Sequence, residues 1–170
     1  MLDWMIAEEQ FGWTSDILIR RAFGNVYEIL LEGSEVQIEN YLLPAVRGDR
    51  TFSIAFTEPE AGSDAAAITS QAIRSNNGWV LNGAKHFISD GYYSDFFVVT
   101  AVTDPNAATK GISTFIVEKG MPGLVVGRDQ PMMGLRGTSH AEISFHEVRL
   151  SPLHLLGQEG QGLKLAFATL

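Results

Sequence analysis

Between Thr51 and Leu150 the sequence breaks into β-type runs of six to eight residues, cut apart by Gly, Asn, Asp and Pro, with no helical period between them. The runs are Thr51–Phe56, Ile68–Arg74, Trp79–Lys85, Phe96–Thr103, Ile112–Glu118 and Ala141–Val148. Strands at this spacing without intervening helices predict an antiparallel barrel or sandwich. Asn76-Asn77-Gly78 sits between two runs as a hairpin turn, because Asn and Gly tolerate positive φ. Ile143 and Phe145 alternate with polar neighbours, so the last run should bury one face.

The flanks read differently. From Leu2 to about Val46 the apolar residues recur at helical spacing, first through Leu2, Met5 and Ile6, then through Ile17, Leu18, Arg21 and Ala22. Ser34-Glu35-Val36-Gln37 fits a capping box that opens a helix running through Tyr41 and Leu43 toward Pro44 and ending near Gly48. After the Gly-rich Gly157–Gly162 loop the helical period returns at Leu163, Phe167 and Leu170. Neither end carries a cap, so both read as internal to a longer protein.

Composition removes several classes. With 45% hydrophobic residues and 10% aromatics in 170 residues, the chain buries a core rather than staying disordered. No apolar run approaches the roughly 18 residues of a membrane helix, and the start has no signal-peptide pattern, so no membrane association is expected. Absence of cysteine excludes disulfides and thiolate chemistry, and fits a cytoplasmic location. A net charge of −8 argues against nucleic-acid binding. His86, His140, His146 and His154 lack the spacing of metal ligands, so no metal is expected.

The densest chemical signal is Thr57-Glu58-Pro59-Glu60-Ala61-Gly62-Ser63-Asp64, directly after a predicted strand. Consecutive amides around Gly62 and Ser63 are suited to an anion, while an ordinary polar turn with an Asx-type bond from Asp64 explains the same residues. Glu58 and Glu60 read as solvated turn carboxylates. Gly157-x-x-Gly160-x-Gly162 is not a dinucleotide fingerprint and reads as a helix-entry loop. Arg136 is open to a substrate or cofactor contact with a neighbouring subunit, or to a loop salt bridge.

The first motif resembles the signature of the acyl-CoA dehydrogenase flavoproteins, and two further segments follow in order. Asn82-Gly83-Ala84-Lys85-His86-Phe87-Ile88-Ser89-Asp90 is similar to that family's Asn-Gly-x-Lys-x-Trp-Ile-Thr-Asn. Gly134-Leu135-Arg136-Gly137-Thr138-Ser139, with Phe145-His146-Glu147-Val148, is similar to the segments that close the same domain. The resemblance implies an α+β fragment: an antiparallel, β-barrel-like middle domain (51–155) flanked by incomplete α-helical domains (1–50 and 156–170).

It also implies FAD as cofactor and α,β-dehydrogenation of an acyl-CoA thioester. Electrons would pass to an electron-transfer flavoprotein, and the parent would be a homo-oligomer, a tetramer or dimer. Carried over by position, Ile54, Ala55, Phe56 and Thr57 would border the flavin, with the Thr57 hydroxyl at its pyrimidine edge. Gly62 and Ser63 would face the pyrophosphate, and Ser63 would also contact the acyl-CoA. Phe87 would pack on the ring system, beside Ile88, and Ser89 would hydrogen-bond near N5. Phe87 stands where the family commonly has Trp, and Ser89 where it has Thr. No residue is assigned as catalytic base, since the family carries it in the C-terminal helical domain. The alternatives are a flavin oxidase or monooxygenase on the same fold, and a flavin-binding relative without turnover.

Overall fold

The two most deeply buried strands form the centre of the fold. β4 (Phe96–Val102) and β5 (Ile112–Glu118) pair antiparallel from Phe96 opposite Glu118 to Val102 opposite Ile112. Both strands are buried on both faces, so β4 reads as a nearly continuous apolar run, while β5 buries Ser113 and Thr114 among its apolar residues. Phe97, Val99 and Ala101 enter one core with Phe115, Val117, Trp79 and Phe145. Phe96, Val98 and Ile116 face the other way, onto Ile29, Leu30, Leu42 and Leu165 from the helical flanks. The computed structural model describes residues 5–6, 9, 28–134 and 138–168. The expected helices between Leu2 and Ala22 otherwise lie outside the described residues, as do Arg136 and Leu170.

Around this pair the sheet runs in the order β6-β7-β3-β2-β4-β5-β8. β2 (Gln71–Ser75) and β3 (Gly78–Ser89) form the expected hairpin over Asn76-Asn77, and β3 pairs with β7 (His140–Leu150). β6 (Leu124–Asp129) and the two-residue β8 (Leu155–Leu156) complete the path. The mainly antiparallel sheet expected from the sequence is present, with two corrections. β1 (Phe52–Ala55) lies parallel to β4, Phe52 opposite Phe96 and Ala55 opposite Val99. The long connection through the β2–β3 hairpin returns the chain in the same direction, as parallel pairing requires. The path also does not close among the described residues, so "barrel-like" holds only loosely.

The helical segment before β1 follows its sequence signals. Helix α1 covers residues 35–47 as Glu35–Gln37, a π-helical turn Ile38–Leu42, and Leu43–Arg47. The Ser34 capping box is present, and the helix ends at Gly48 in the left-handed region. The π-turn has an identifiable neighbour: Pro44 has no N–H to offer the Asn40 carbonyl. Arg50 Nη1 donates to that carbonyl instead, at 3.2 Å. The same guanidinium lies over Tyr41 and Phe96 and pairs with Glu118 at 2.5 Å, tying the helix end to β4 and β5.

Gln37 is buried, and its Nε2 donates to the carbonyls of Leu153 and Leu155, both at 2.9 Å. Gln37→Ala should therefore cost about 1–3 kcal/mol, the desolvation of groups left unpaired. A thermal melt of the variant against the wild-type chain checks this, with Glu39→Ala on the exposed face as control. At the other flank, helix α2 (Gly162–Ala168) buries Leu163, Leu165 and Ala166 while Phe167 stays exposed. A Cβ at Gly162 would lie 2.7 Å from the Ser113 carbonyl carbon, so the Gly-rich loop serves close approach to β5, as a helix-entry loop does.

Candidate functional site

The first motif follows β1 directly and folds into a tight turn. Glu58 N–H donates to the Ala61 carbonyl at 2.9 Å and Ala61 N–H returns the bond at 3.2 Å, with Pro59 and Glu60 at the tip. Asp64 Oδ1 then accepts the Ala66 N–H at 3.2 Å, which is the Asx-type bond expected for a polar turn. Glu58 overturns its sequence reading. It is 4% exposed, not solvated, and its Oε1 lies 2.8 Å from Lys85 Nζ. Its carboxylate also accepts the Thr69 N–H at 2.6 Å, the Thr69 hydroxyl at 2.9 Å and the Ser70 N–H at 3.1 Å. Glu60 is exposed, as expected.

Lys85 is buried to 1% exposure on β3 and spends its donors on Glu58, on the Phe56 carbonyl at 3.1 Å and on Thr100 Oγ1 at 3.3 Å. Burial by itself pushes the Glu58 carboxyl up. The Lys85 ammonium and the donors of Thr69 and Ser70 outweigh that and hold it at about 2. Burial pushes the Lys85 ammonium down to about 8, against the opposing pull of Glu58. A carboxyl depressed in the folded state stabilises the fold above its ordinary value of 4.5, and that stability is lost as pH falls toward about 2. The melting temperature should therefore fall across this interval, and fall less steeply in the Glu58→Gln/Lys85→Met double variant. Parallel acid profiles for the two proteins would contradict it.

The second motif carries a backbone irregularity. Between Lys85 and Ile88, β3 gains one residue relative to β7, and Phe87 sits at φ 57°. A second irregularity lies on β7 between Val148 and Phe145, where Glu147 has φ 53° and its N–H is held by Asn82 Oδ1 at 2.9 Å. Bulges re-aim side chains. Lys85 and Ile88 both point inward, so the intervening Phe87 is left facing out, 47% exposed, with the His86 ring 4.1 Å away. Gly83, between the irregularities, has φ 143°, and a Cβ there would lie 2.3 Å from Ser70 Oγ.

The two motifs meet edge to edge. His86 N–H donates to the Thr57 carbonyl at 2.8 Å, and Ser53 Oγ donates to the Ser89 carbonyl at 2.5 Å. Thr57, Phe87 and Ser89 are thereby carried on adjoining segments. Among the described residues, the hydroxyls of Thr57, Ser63 and Ser89 have no hydrogen-bond partner. Gly62 and Ser63 are exposed, and a Cβ added to Gly62 would meet nothing within 4 Å. Ile54 and Phe56 are partly buried, and the Phe56 ring meets Phe167 edge-on at 6.2 Å. Ala55 and Ile88 are core side chains at 0% and 2% exposure, so only their backbone is open to a ligand. Sequence reasoning missed Lys85, Glu58 and Ser53 as the residues that join the motifs. A lysine at an inward position of the strand, two residues before the Phe87 irregularity, is the available signal for the first.

The match with known proteins follows this geometry. The family model for the middle domain of acyl-CoA dehydrogenases matches residues 53–148, which holds β1 through most of β7 and both motifs. The chain belongs to the acyl-CoA dehydrogenase family. A short-chain specific acyl-CoA dehydrogenase of Clostridium acetobutylicum is 35% identical over the whole chain, which covers 46% of that protein. Butyryl-CoA dehydrogenase from Megasphaera elsdenii has a structure similar to this one, with a TM-score of 0.82 and 34% identity over 84% of this chain and 38% of that one. PigA, solved as its FAD complex, gives a TM-score of 0.81 with 33% identity over 86% of this chain and 38% of that one. The chain thus spans less than half the length of these relatives. Among the described residues of this family member, no helix is long and apolar enough to cross a membrane.

Proposed function

We propose that this chain is the flavin-binding part of an FAD-dependent acyl-CoA dehydrogenase, with 51–155 as the middle domain and 1–50 and 156–170 as helical flanks. The carrying observation is the exposed edge where an aromatic ring is turned outward by left-handed backbone beside hydroxyls that the chain leaves unpaired. Those residue types suit a flavin. Phe87 offers an apolar face, Thr57 and Ser89 offer donors for the polar edge of the ring system, and Ile54, Ala55, Phe56 and Ile88 offer backbone along it. Gly62 and Ser63 offer an open turn for a pyrophosphate, and Ser63 is also assigned to the acyl-CoA. When bound, FAD supplies the hydride acceptor for oxidation of an acyl thioester.

The residues here bind and orient; none is assigned removal of the α-proton. Passage of electrons to an electron-transfer flavoprotein, a homo-oligomeric parent and a cytoplasmic location are part of the same reading. The net charge of −8 and the absence of cysteine are compatible with that location. FAD titrated into the purified chain should bind saturably. Ser63→Ala should weaken it by about 10- to 100-fold, the loss of a hydrogen bond to a charged group, with an unchanged melting temperature. Binding that is absent in the wild type, or equal in the variant, would overturn this assignment.

A further inference from the structure

Lys85 and Glu58 remain unused by that reading, although they are the most deeply buried charges among the described residues. Their contacts converge on one position. Lys85 Nζ holds the Phe56 carbonyl on one side of Thr57 and the Glu58 carboxylate on the other. The Thr57 carbonyl itself accepts the N–H of His86, the neighbour of Lys85. Thr57 is thus gripped before, at and after its own peptide by two consecutive residues of β3.

Glu58 is enclosed with Lys85, whereas its neighbour Thr57 is only partly buried. The register shift after Lys85 sends Phe87 out while returning Ile88 to the core, leaving Ser89 on the outward side. One buried cation therefore connects the segment bearing Thr57 to the segment bearing Phe87 and Ser89. Glu58 extends the grip to a third segment through Thr69 and Ser70, and Thr100 anchors Lys85 on β4.

We infer that Lys85 and Glu58 are positioning residues for the flavin edge: they fix Thr57 in register with Phe87 and Ser89 rather than merely filling the core. This rests on the proposed flavin reading for its consequence, but not for its geometry. A purely stabilising pair is replaceable by neutral residues of similar volume, since neither partner is then left as an uncompensated charge. A positioning pair is not replaceable in this way.

The test is the Glu58→Gln/Lys85→Met double variant of the 170-residue chain, with Thr100→Val as a milder second variant that keeps both charges. Two quantities are measured on each: amide hydrogen exchange of His86 against that of Val99 and Ile116, and the dissociation constant for FAD. Exchange at His86 should quicken by about tenfold in the double variant, as expected for loss of roughly one hydrogen bond's contribution. Exchange at Val99 and Ile116 should stay within about twofold, and FAD binding should weaken about tenfold. Thr100→Val should show the same pattern at smaller amplitude, and it decides alone if the double variant does not fold. Unchanged His86 exchange in every variant that folds would overturn the inference. So would normal FAD affinity in a variant whose His86 exchange has quickened. Failure of the wild-type chain to bind FAD would remove the flavin reading, and the exchange measurements would still judge the positioning role.

Discussion

Lys85→Met on its own is expected to lower the stability of the chain by about 3–5 kcal/mol, the cost of leaving one member of a buried ion pair uncompensated. The residue left behind is Glu58, 4% exposed and dependent on Lys85 for its charge balance. Against a total stability of about 5–15 kcal/mol for an ordinary domain, that loss removes about a fifth or more of the margin. Urea denaturation followed by tryptophan fluorescence measures it, because Trp79 lies in the core cluster with Phe115. Adding Glu58→Gln to Lys85→Met should recover most of the loss, since the charge that made the single variant costly is then gone. A single variant as stable as the wild type would mean that the carboxylate is already satisfied by Thr69 and Ser70.

The second large effect is Gly83→Val. Its Cβ would lie 2.3 Å from Ser70 Oγ and 2.7 Å from Ser70 Cα, on a backbone at φ 143°. A β-branched residue adds overpacking and backbone strain, each about 1–3 kcal/mol, so a combined loss of about 2–6 kcal/mol is expected. Gly62→Ala provides the contrast. With nothing within 4 Å of the added methyl, it should change stability by no more than about 0.5 kcal/mol. The same methyl should still loosen FAD, because the open space above Gly62 is assigned to the ligand. Equal melting temperatures for Gly83→Val and Gly62→Ala would remove the distinction between a glycine kept for packing and one kept for access.

What the sequence made legible was whatever local rules control. Ile112–Glu118 matches its sequence bounds to the residue, since a run rich in Ile, Val, Phe and Thr between turns leaves little freedom. The Ser34 capping box and the Asn76-Asn77-Gly78 hairpin also appeared where short-range chemistry put them. β6 escaped because Gly127 and Arg128 interrupt its alternation, and β8 because two residues carry no period. The parallel pairing of β1 with β4 depends on a connection whose path no local signal records.

The candidate site divides in the same way. Thr57, Ser63, Phe87 and Ser89 were singled out by motif, and the structure brings Thr57, Phe87 and Ser89 onto adjoining segments. The partnership of Glu58 with Lys85 is not legible, because a carboxylate next to a turn proline looks solvated until a cation 27 residues on is placed beneath it. That contact is long-range, and composition at either end does not announce it.

The irregularities on β3 and β7 behave as a pair of opposite dislocations. From Leu81 to Ser89 one strand advances eight residues, and from Val148 to His140 its partner also advances eight, so the two ends are in phase. Between them, from Gly83 to Lys85, the ladder runs one rung out of phase. The extra residue on one strand cancels the extra residue on the other. Loss of one residue near Phe87 alone would leave Lys85 and Ile88 two residues apart, so both would still face inward and Ser89 outward, and only the outward-facing ring would be lost. Loss of one residue from each strand would spare the ends and the core, yet it would abolish the outward-facing ring. Length at the two irregularities is thus set by different demands: the fold tolerates a one-residue gap at the bulge of β3, and the ligand edge does not.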